Sequence, residues 1–442
     1  PPGHMVNAIA GGAGRDRVLV VAPGGNELMS GILSSIGDAF GFDNGPDPAN
    51  EIAIVVGGNR IVGWENVSIT RSIEQFPSSF VLTAADQFPY DPTRATIFRS
   101  GPGKKCQIYI GADLVLTGYV DQYSTNVGTG HHDVTITGRG LCEDLSDCSA
   151  DLLNTPELRG ATILASNALD LAQKLCKPFG ITARSAVADL GKPLPAITVA
   201  LGETGYEIIE RVARYTGYLV YEDEFGNLVL DRVGTQKMAS GFTMPGNIEG
   251  ASSTLAFNQR FSTYVVVWNS VAQYGEINPL ANQRASIDDA KFIARFPHRY
   301  RPRIIVSEQV GPSPAGANVM DYWADKRAKW ELARRIGRSQ AISLTCDSWR
   351  DSAGQLWKPN YLAPISAVAL KILNVEWIIG TVTFRKDASG THADLVLMPP
   401  DAFDPEPAPL YLWDAEIMHA LQTSQSPAPP TTAPPKAIQG RL

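Results

Sequence analysis

From residue 51 onward, apolar and β-branched side chains come in short alternating runs, and a period of two marks strands that bury one face. Ile52 to Val56, Val67 to Ile73, Phe80 to Ala84, Cys106 to Ile110, Leu114 to Tyr123 and Asp133 to Gly138 carry this pattern. Gly57-Gly58-Asn59, Gly101-Pro102-Gly103 and Gly128-Thr129-Gly130 interrupt it with residues that reverse a chain at little steric cost. The spacing predicts a small all-β unit, and closure into a barrel is the usual way for such a unit to hide its edges.

The period then changes. Leu164, Ala168, Leu171, Ala172 and Leu175 recur at helical spacing between Ala161 and Cys176, and Pro178 with Gly180 supplies a stop. A second helix is predicted from Tyr206 to Tyr215, followed by a hairpin in which Leu219 to Tyr221 and Leu228 to Asp231 flank Phe225-Gly226-Asn227. Strands return at Phe261 to Trp268 and Ile304 to Ser307. A long helix is expected from about Asn318 to Arg338, with Met320, Trp323, Arg327, Trp330 and Ala333 on one side. The last strands are predicted at Ile342 to Cys346, Ala367 to Leu373, Trp377 to Arg385 and Ala393 to Met398. Outside these, residues 1–50 read as an appended arm with a strand at Val18 to Ala22 and an amphipathic stretch from Leu28 to Phe40. The Pro/Ala/Thr-rich end, Ser424 to Pro435, cannot bury enough to fold, so disorder is expected beyond about Gln425.

The expected organisation is therefore an arm (1–50), a first β-barrel (51–147), a mixed α/β domain (148–250), a second β unit carrying the long helix (251–402) and a tail (403–442). An internal echo supports a second barrel. Leu116-Thr117-Gly118-Tyr119-Val120-Asp121 leads to His132-Asp133-Val134-Thr135-Ile136-Thr137, and Ile378-Ile379-Gly380-Thr381-Val382-Thr383 leads to Ala393-Asp394-Leu395-Val396-Leu397. Matching the two central glycines gives the same order of strands in each stretch.

A length of 442 residues requires more than one core, and no apolar run reaches the length of a membrane span. The N-terminus has no secretion signal, Gly3-His4-Met5 resembles a cloning remnant, and synthesis in a cytoplasm is expected. Five cysteines, at 106, 142, 148, 176 and 346, form no Cys-x-x-Cys pair, which argues against a disulfide framework or a zinc site. A net charge of −7 leaves no basic footprint for gripping nucleic acid.

Candidate chemistry is thin. His131 and His132 stand just before the predicted strand at Asp133 and read as solvated histidines at a loop end; if the strand extended to them, they would point to opposite faces and could not share a metal. Glu207 with Glu210, and Asp144 with Asp147, could be written as paired carboxylates, but spacing alone shows neither a cleft partner nor a shifted pKa, and such pairs are more often solvated helix faces. There is no phosphate loop, nucleophile elbow or His-Glu-x-x-His motif. The sequence predicts no catalytic residue, no cofactor and no metal.

Trp64-Glu65-Asn66-Val67-Ser68-Ile69-Thr70-Arg71-Ser72-Ile73-Glu74 followed by Phe80, Thr117 to Asp121, Val134 to Arg139, Asp144 to Ala150, Tyr300 to Ile305, the Ala/Arg-rich helix at Ala328 to Arg335, and Gly354-Gln355-Leu356-Trp357-Lys358-Pro359-Asn360 occur in one order. Over residues 51–403 this series resembles the central hub proteins of Mu-like contractile-tail baseplates. That family is related to the T-even phage hub and to the N-terminal part of type VI secretion spike proteins. The resemblance implies a mainly β fold with α/β insertions: two similar small antiparallel β-barrels and a mixed α/β domain, in a homotrimeric hub. It implies as partners the tail tube or distal tube protein, a separate spike protein and other baseplate proteins, with DNA passing through unbound and no membrane anchoring. The location implied is the virion tail baseplate, assembled in the host bacterial cytoplasm. Unlike type VI spike proteins, the chain has no oligosaccharide-binding-like module or β-helix repeat after Phe403. Two other functions stay open at this point, a tail-associated cell-wall hydrolase and a carbohydrate-binding module. Within the matched blocks, Trp357, Pro359 and Asn360 suit a shaped turn, and Trp323 and Trp330 suit the core.

Overall fold

The computed structural model describes residues 19–21 and 48–408, apart from 86–100, 130, 153–154, 157–161, 191–193, 195–196, 235, 271–281 and 310–316. The amphipathic stretch at 28–40 and the Pro-rich end lie outside the described residues.

The alternating runs form the strands expected of them, and Asn59–Val62, which was not expected as a strand, adds one more. They are β1 (Leu19–Val21), β2 (Ile52–Val56), β3 (Asn59–Val62), β4 (Asn66–Ser72), β5 (Ser79–Ala85), β6 (Lys105–Ile110), β7 (Asp113–Gly128) and β8 (His131–Gly140). Their inward residues, including Ile54, Ile69, Phe80, Leu82 and Ile108, are buried. Next come α1 (Glu143–Asp147), β9 (Thr162–Ile163), α2 (Ala168–Cys176), β10 (Ala183–Ser185), β11 (Ile197–Thr198), α3 (Gly205–Thr216), β12 (Leu219–Glu222) and β13 (Leu228–Asp231). Here α2 and α3 share a core with the sheet β10-β13-β12. The α2 helix starts at Ala168 rather than Ala161, because the Asn167 side chain accepts from the Asp170 N–H and caps it there. Leu164, which was expected on its apolar face, is exposed. Thr204 and Glu207 form a capping box at the start of α3, and Gly217 ends that helix at a φ of 77°.

The remaining elements are β14 (Gln236–Lys237), β15 (Phe242–Met244), β16 (Ile248–Leu255), β17 (Thr263–Ser270), β18 (Asn282–Asp288), α4 (Ala290–Arg295), β19 (Pro302–Gln309), α5 (Ala317–Arg338), β20 (Gln340–Cys346), β21 (Tyr361–Ala367), β22 (Ile372–Asp387) and β23 (Gly390–Met398). Helix α5 lies on the sheet β18-β17-β19, where Ala324 and Ala328 let it approach Val266 closely. The strand expected at Ala367 to Leu373 is instead the end of β21, a single 3-10 turn and the start of β22. The chain reverses there through Lys371 at a φ of 63°.

Two barrels were expected, and neither closes among the described residues. Strands of both β units run edge to edge in one 15-stranded sheet, along the path β1-β3-β2-β6-β7-β8-β5-β4-β22-β23-β20-β16. The edge of β4 is satisfied by β22, from Thr381↔Ser72 to Lys386↔Val67, instead of by a strand of its own unit. A single apolar cluster, from Ile52 through Trp357 to Leu397, lies beneath both units.

The internal echo is present in the fold, but in a different register. Strands β6-β7-β8 and β21-β22-β23 are matching meanders, and each central strand is 16 residues long. Gly128↔His131 closes one hairpin and Asp387↔Gly390 closes the other. The pairing shifts once in each, leaving Asp121 bulged in β7 and Gly380 bulged in β22. Under this match Leu116, Val120 and Tyr123 correspond to Val375, Ile379 and Val382, all facing the shared core. The flanking strands follow, with Phe80↔Gly138 matching Ile342↔Leu397 and Ile69↔Phe80 matching Ser253↔Ile342. Strands β5 and β4 thus correspond to β20 and β16. Gly380 is equivalent to Asp121 and Gly118 to Trp377, three residues from the glycine-to-glycine match. The two glycines meet unrelated needs. A Cβ on Gly118 would overlap the Arg139 carbonyl across the ladder, and one on Gly380 would lie 2.6 Å from the Phe403 ring.

Candidate interaction surfaces

A set of buried and half-buried polar side chains joins the parts of the molecule to one another. Arg71 on β4 meets Glu224 at 3.1 Å, and Lys358, just before β21, meets the same carboxylate at 3.4 Å. Glu224 follows β12, so one carboxylate ties the mixed region to both β units. Beside it Glu222, 4% exposed, accepts the Ser78 N–H at 3.1 Å and the Cys142 N–H at 3.0 Å. Gly140 leaves the room this requires, since any Cβ there would overlap the Glu222 carboxylate. Asn360, buried at a φ of 66°, donates to Asp231 at 3.0 Å and to the Arg232 carbonyl at 2.8 Å, and accepts from the Gly234 N–H at 3.0 Å. A third joint holds α5 to the segment after β23. Trp330 Nε1 donates to the Asp404 carbonyl, Arg334 donates to the carbonyls of Ala402 and Asp404, and Arg338 donates to the Ala402 carbonyl, while its other end pairs with Glu74, between β4 and β5.

Burial pushes the Glu222 carboxyl up to about 7, although the two N–H donors and Arg71 pull it down. The folded chain then holds a proton that the unfolded chain has lost between pH 4.5 and 7, so stability falls as pH rises through that window. Glu143, raised by burial and by Asp121, acts in the same sense. The wild-type melting temperature is expected to drop between pH 5 and 8, with a shallower slope in Glu222→Gln. A wild-type melting temperature that rises, or an equal slope in the variant, contradicts this assignment.

The carboxylates singled out in the sequence have structural partners. Glu207 closes the capping box on α3, Glu210 pairs with Arg214 at 2.6 Å, and Asp147 pairs with Arg139 at 2.8 Å. Asp144 sits in the first turn of α1. His131 and His132 are consecutive on β8, and among the described residues no group of His, Cys, Asp and Glu could hold a metal ion. Trp357 is fully buried, with Nε1 donating to the Ser348 carbonyl at 2.7 Å. The side chain of Trp323 is outside the described residues. Cys106, Cys142, Cys176 and Cys346 are buried, and burial raises every one of these thiols, Cys106 and Cys176 to about 12, so they are poor nucleophiles. No helix of the described residues is long and apolar enough to cross a membrane.

What the sequence did not reveal is a surface. The other face of the joined sheet, turned away from the apolar core, carries small hydroxyls that bond across strands beside the Arg385–Asp394 ion pair at 3.0 Å. Thr70 meets Thr383 at 3.0 Å, Ser72 meets Thr381 at 2.8 Å and Thr83 meets Thr135 at 3.0 Å, while Thr345 donates to Asp394 at 2.7 Å. One edge of the sheet ends in β16, whose residues Ser252 to Leu255 are exposed. The outer half of β7, Thr125 to Gly128, is exposed as well. Edges of this length are where further chains add.

A β scaffold whose units are tied to one another and whose sheet ends in extended, exposed edges has the form of a structural assembly protein. Three family models match the chain: "Mu phage baseplate assembly protein GpP-like, N-terminal" at 51–140, "Baseplate hub protein gp44-like, second domain" at 142–232 and "Mu phage baseplate assembly protein GpP, fourth domain" at 321–406. The baseplate hub protein gp44 of Escherichia phage Mu is 27% identical over 363 residues, covering 80% of this chain and 89% of its own. The crystal structure of the prophage MuSo2 43 kDa tail protein from Shewanella oneidensis matches with a TM-score of 0.68 and 30% identity, over 80% of this chain and 99% of that one. The tail protein from Neisseria meningitidis MC58 shares the fold, with a TM-score of 0.61 and 19% identity over 81% and 99%. The chain belongs to the Mu-like baseplate hub family. Its role is that of a structural hub of a phage tail baseplate.

Proposed function

We propose that three copies of the chain close a ring that seats the tail tube on one side and a separate spike protein on the other, leaving an axial passage for DNA. The observation that carries this reading is the internal repeat, in which β6-β7-β8-β5-β4 and β21-β22-β23-β20-β16 match strand by strand. A trimer of a chain with two like units offers nearly the same edge six times around one axis, which suits a sixfold tube, while the mixed region breaks that symmetry and faces a threefold spike. The face that carries these hydroxyls is a candidate for the passage wall, since Ser and Thr do not hold phosphate as an unpaired Lys or Arg does, and Arg385 on this face is paired with Asp394. Assembly takes place in the host bacterial cytoplasm, and the chain catalyses nothing.

Light scattering of the purified chain at rising concentration tests the ring. A mass of three chains is expected, and a dimer, a tetramer or a persistent monomer contradicts it. The same protein is expected to leave a peptidoglycan suspension as turbid as a buffer control does. Clearing above that control would restore the hydrolase reading.

A further inference from the structure

The joint between the two β units is itself a template for a contact between chains. Within one chain, the outer half of β22 pairs with β4 through Val382↔Arg71, Thr383↔Thr70, Phe384↔Ile69, Arg385↔Ser68 and Lys386↔Val67. The repeat established above makes β7 the counterpart of β22 and β16 the counterpart of β4. Those two counterparts do not meet inside the chain. Strand β16 ends the sheet, paired only with β20 among the described strands, and the described strands place β8 on one side of β7 from Ser124 outward.

We propose that the outer half of β7 of one chain adds antiparallel to β16 of a second copy, repeating between chains the joint that β22 and β4 make within one. The proposal rests on the ring reading and deepens it by fixing which edges meet and in what register. Carried across the repeat, the template pairs Ser124 with Thr254 of the second copy, Thr125 with Ser253, Asn126 with Ser252 and Val127 with Ala251. Each chain then contributes one joint of its own and one shared with its neighbour, so three chains alternate the two kinds of joint around the ring.

The chemistry of the edges agrees. The template bonds Thr383 Oγ1 to Thr70 Oγ1 at 3.0 Å, and its counterparts Ser124 and Thr254 are again two hydroxyls. The internal joint buries Phe384 and Ile69 completely, whereas the corresponding Thr125 and Ser253 are small, polar and exposed in the single chain. A joint made during folding can be apolar, but an edge that must stay in water until a second chain arrives cannot carry large apolar side chains without risking aggregation. The exposed apolar groups on these two edges, Val127 at 70% and Leu255 at 57%, would be covered by the pairing.

The test is cross-linking in the full-length chain with Cys148, the exposed native thiol, replaced by Ser. Ser124→Cys with Thr254→Cys places two thiols where the template places two bonded hydroxyls. Ser124→Cys with Ser252→Cys is the control, on the same face but two residues out of register. Under mild oxidation, at a concentration where light scattering reports a trimer, the first pair is expected to convert most of the chain into linked dimers and trimers on a non-reducing gel. The control pair and each single variant are expected to yield at least about tenfold less. A trimer that links no better through the first pair than through the control overturns the edge pairing and leaves the ring standing. A chain that remains monomeric at every concentration overturns both.

Discussion

Replacing Trp357 with Ala is expected to cost about 3–5 kcal/mol of folding stability, the range found when a large aromatic side chain is deleted from a packed core. The indole is completely buried, its ring lies 4.5 Å from that of Phe242, and its N–H is satisfied by the Ser348 carbonyl. The Ser348 carbonyl would lose its donor as well. Trp357 also stands at the turn that delivers Lys358 and Asn360 to the mixed region, so the loss is expected to loosen the clasp as well as the core. Urea denaturation measures it. A midpoint unchanged from wild type would mean that the second β unit does not depend on this residue.

Gly118→Ala is expected to be comparably damaging, at about 3 kcal/mol or more, or to prevent folding. A Cβ at this position meets the backbone carbonyl of Arg139, and backbone cannot rotate away as a side chain tip can. The ladder between β7 and β8 would have to part at the pair Gly118↔Gly140, next to the chamber that holds Glu222. Gly250→Ala is the matched control, because a Cβ there meets nothing within 4 Å and its change should stay within about 0.5 kcal/mol. Equal stability of the two variants would contradict the close approach at Gly118.

Much of this fold is legible in the sequence because its strands bury alternate residues. Ile52–Val56 was read with its own bounds, and α3 and the β12-β13 hairpin within a residue at each end, since a capping Thr, a terminal Gly and a Phe-Gly-Asn turn mark them locally. Strand β18 was missed because Asn282, Gln283 and Arg284 open it, and its apolar residues start only at Ala285. The register of the echo was misread for a related reason. Two glycines look alike in a sequence, but Gly118 is fixed by a facing carbonyl and Gly380 by a facing ring, and only the hairpin pairing shows that they are not equivalent. The closed barrels failed because closure depends on which edge a strand meets. Strand β4 meets β22 more than three hundred residues away, and no local pattern encodes that choice.

The sites followed the same division. Glu207, Glu210 and Asp147 read as solvated helix faces in the sequence, and the i,i+3 cap of Glu207 and the i,i+4 pair of Glu210 with Arg214 have local spacing, whereas the clasp of Arg71, Glu222, Glu224 and Asn360 has none. Its members are distant in sequence and polar, and nothing near them in the chain announces that they will be buried together.

The central claim is that this hub repeats one β unit twice so that three chains can meet a sixfold tube. Electron cryomicroscopy of the assembled protein, reconstructed without imposed symmetry, tests it most directly. The account predicts a closed ring with threefold symmetry and six similar β lobes around the axis, alternating between the unit built on β7 and the unit built on β22. A twofold or open assembly, or a ring in which the two units sit at different radii, would contradict it.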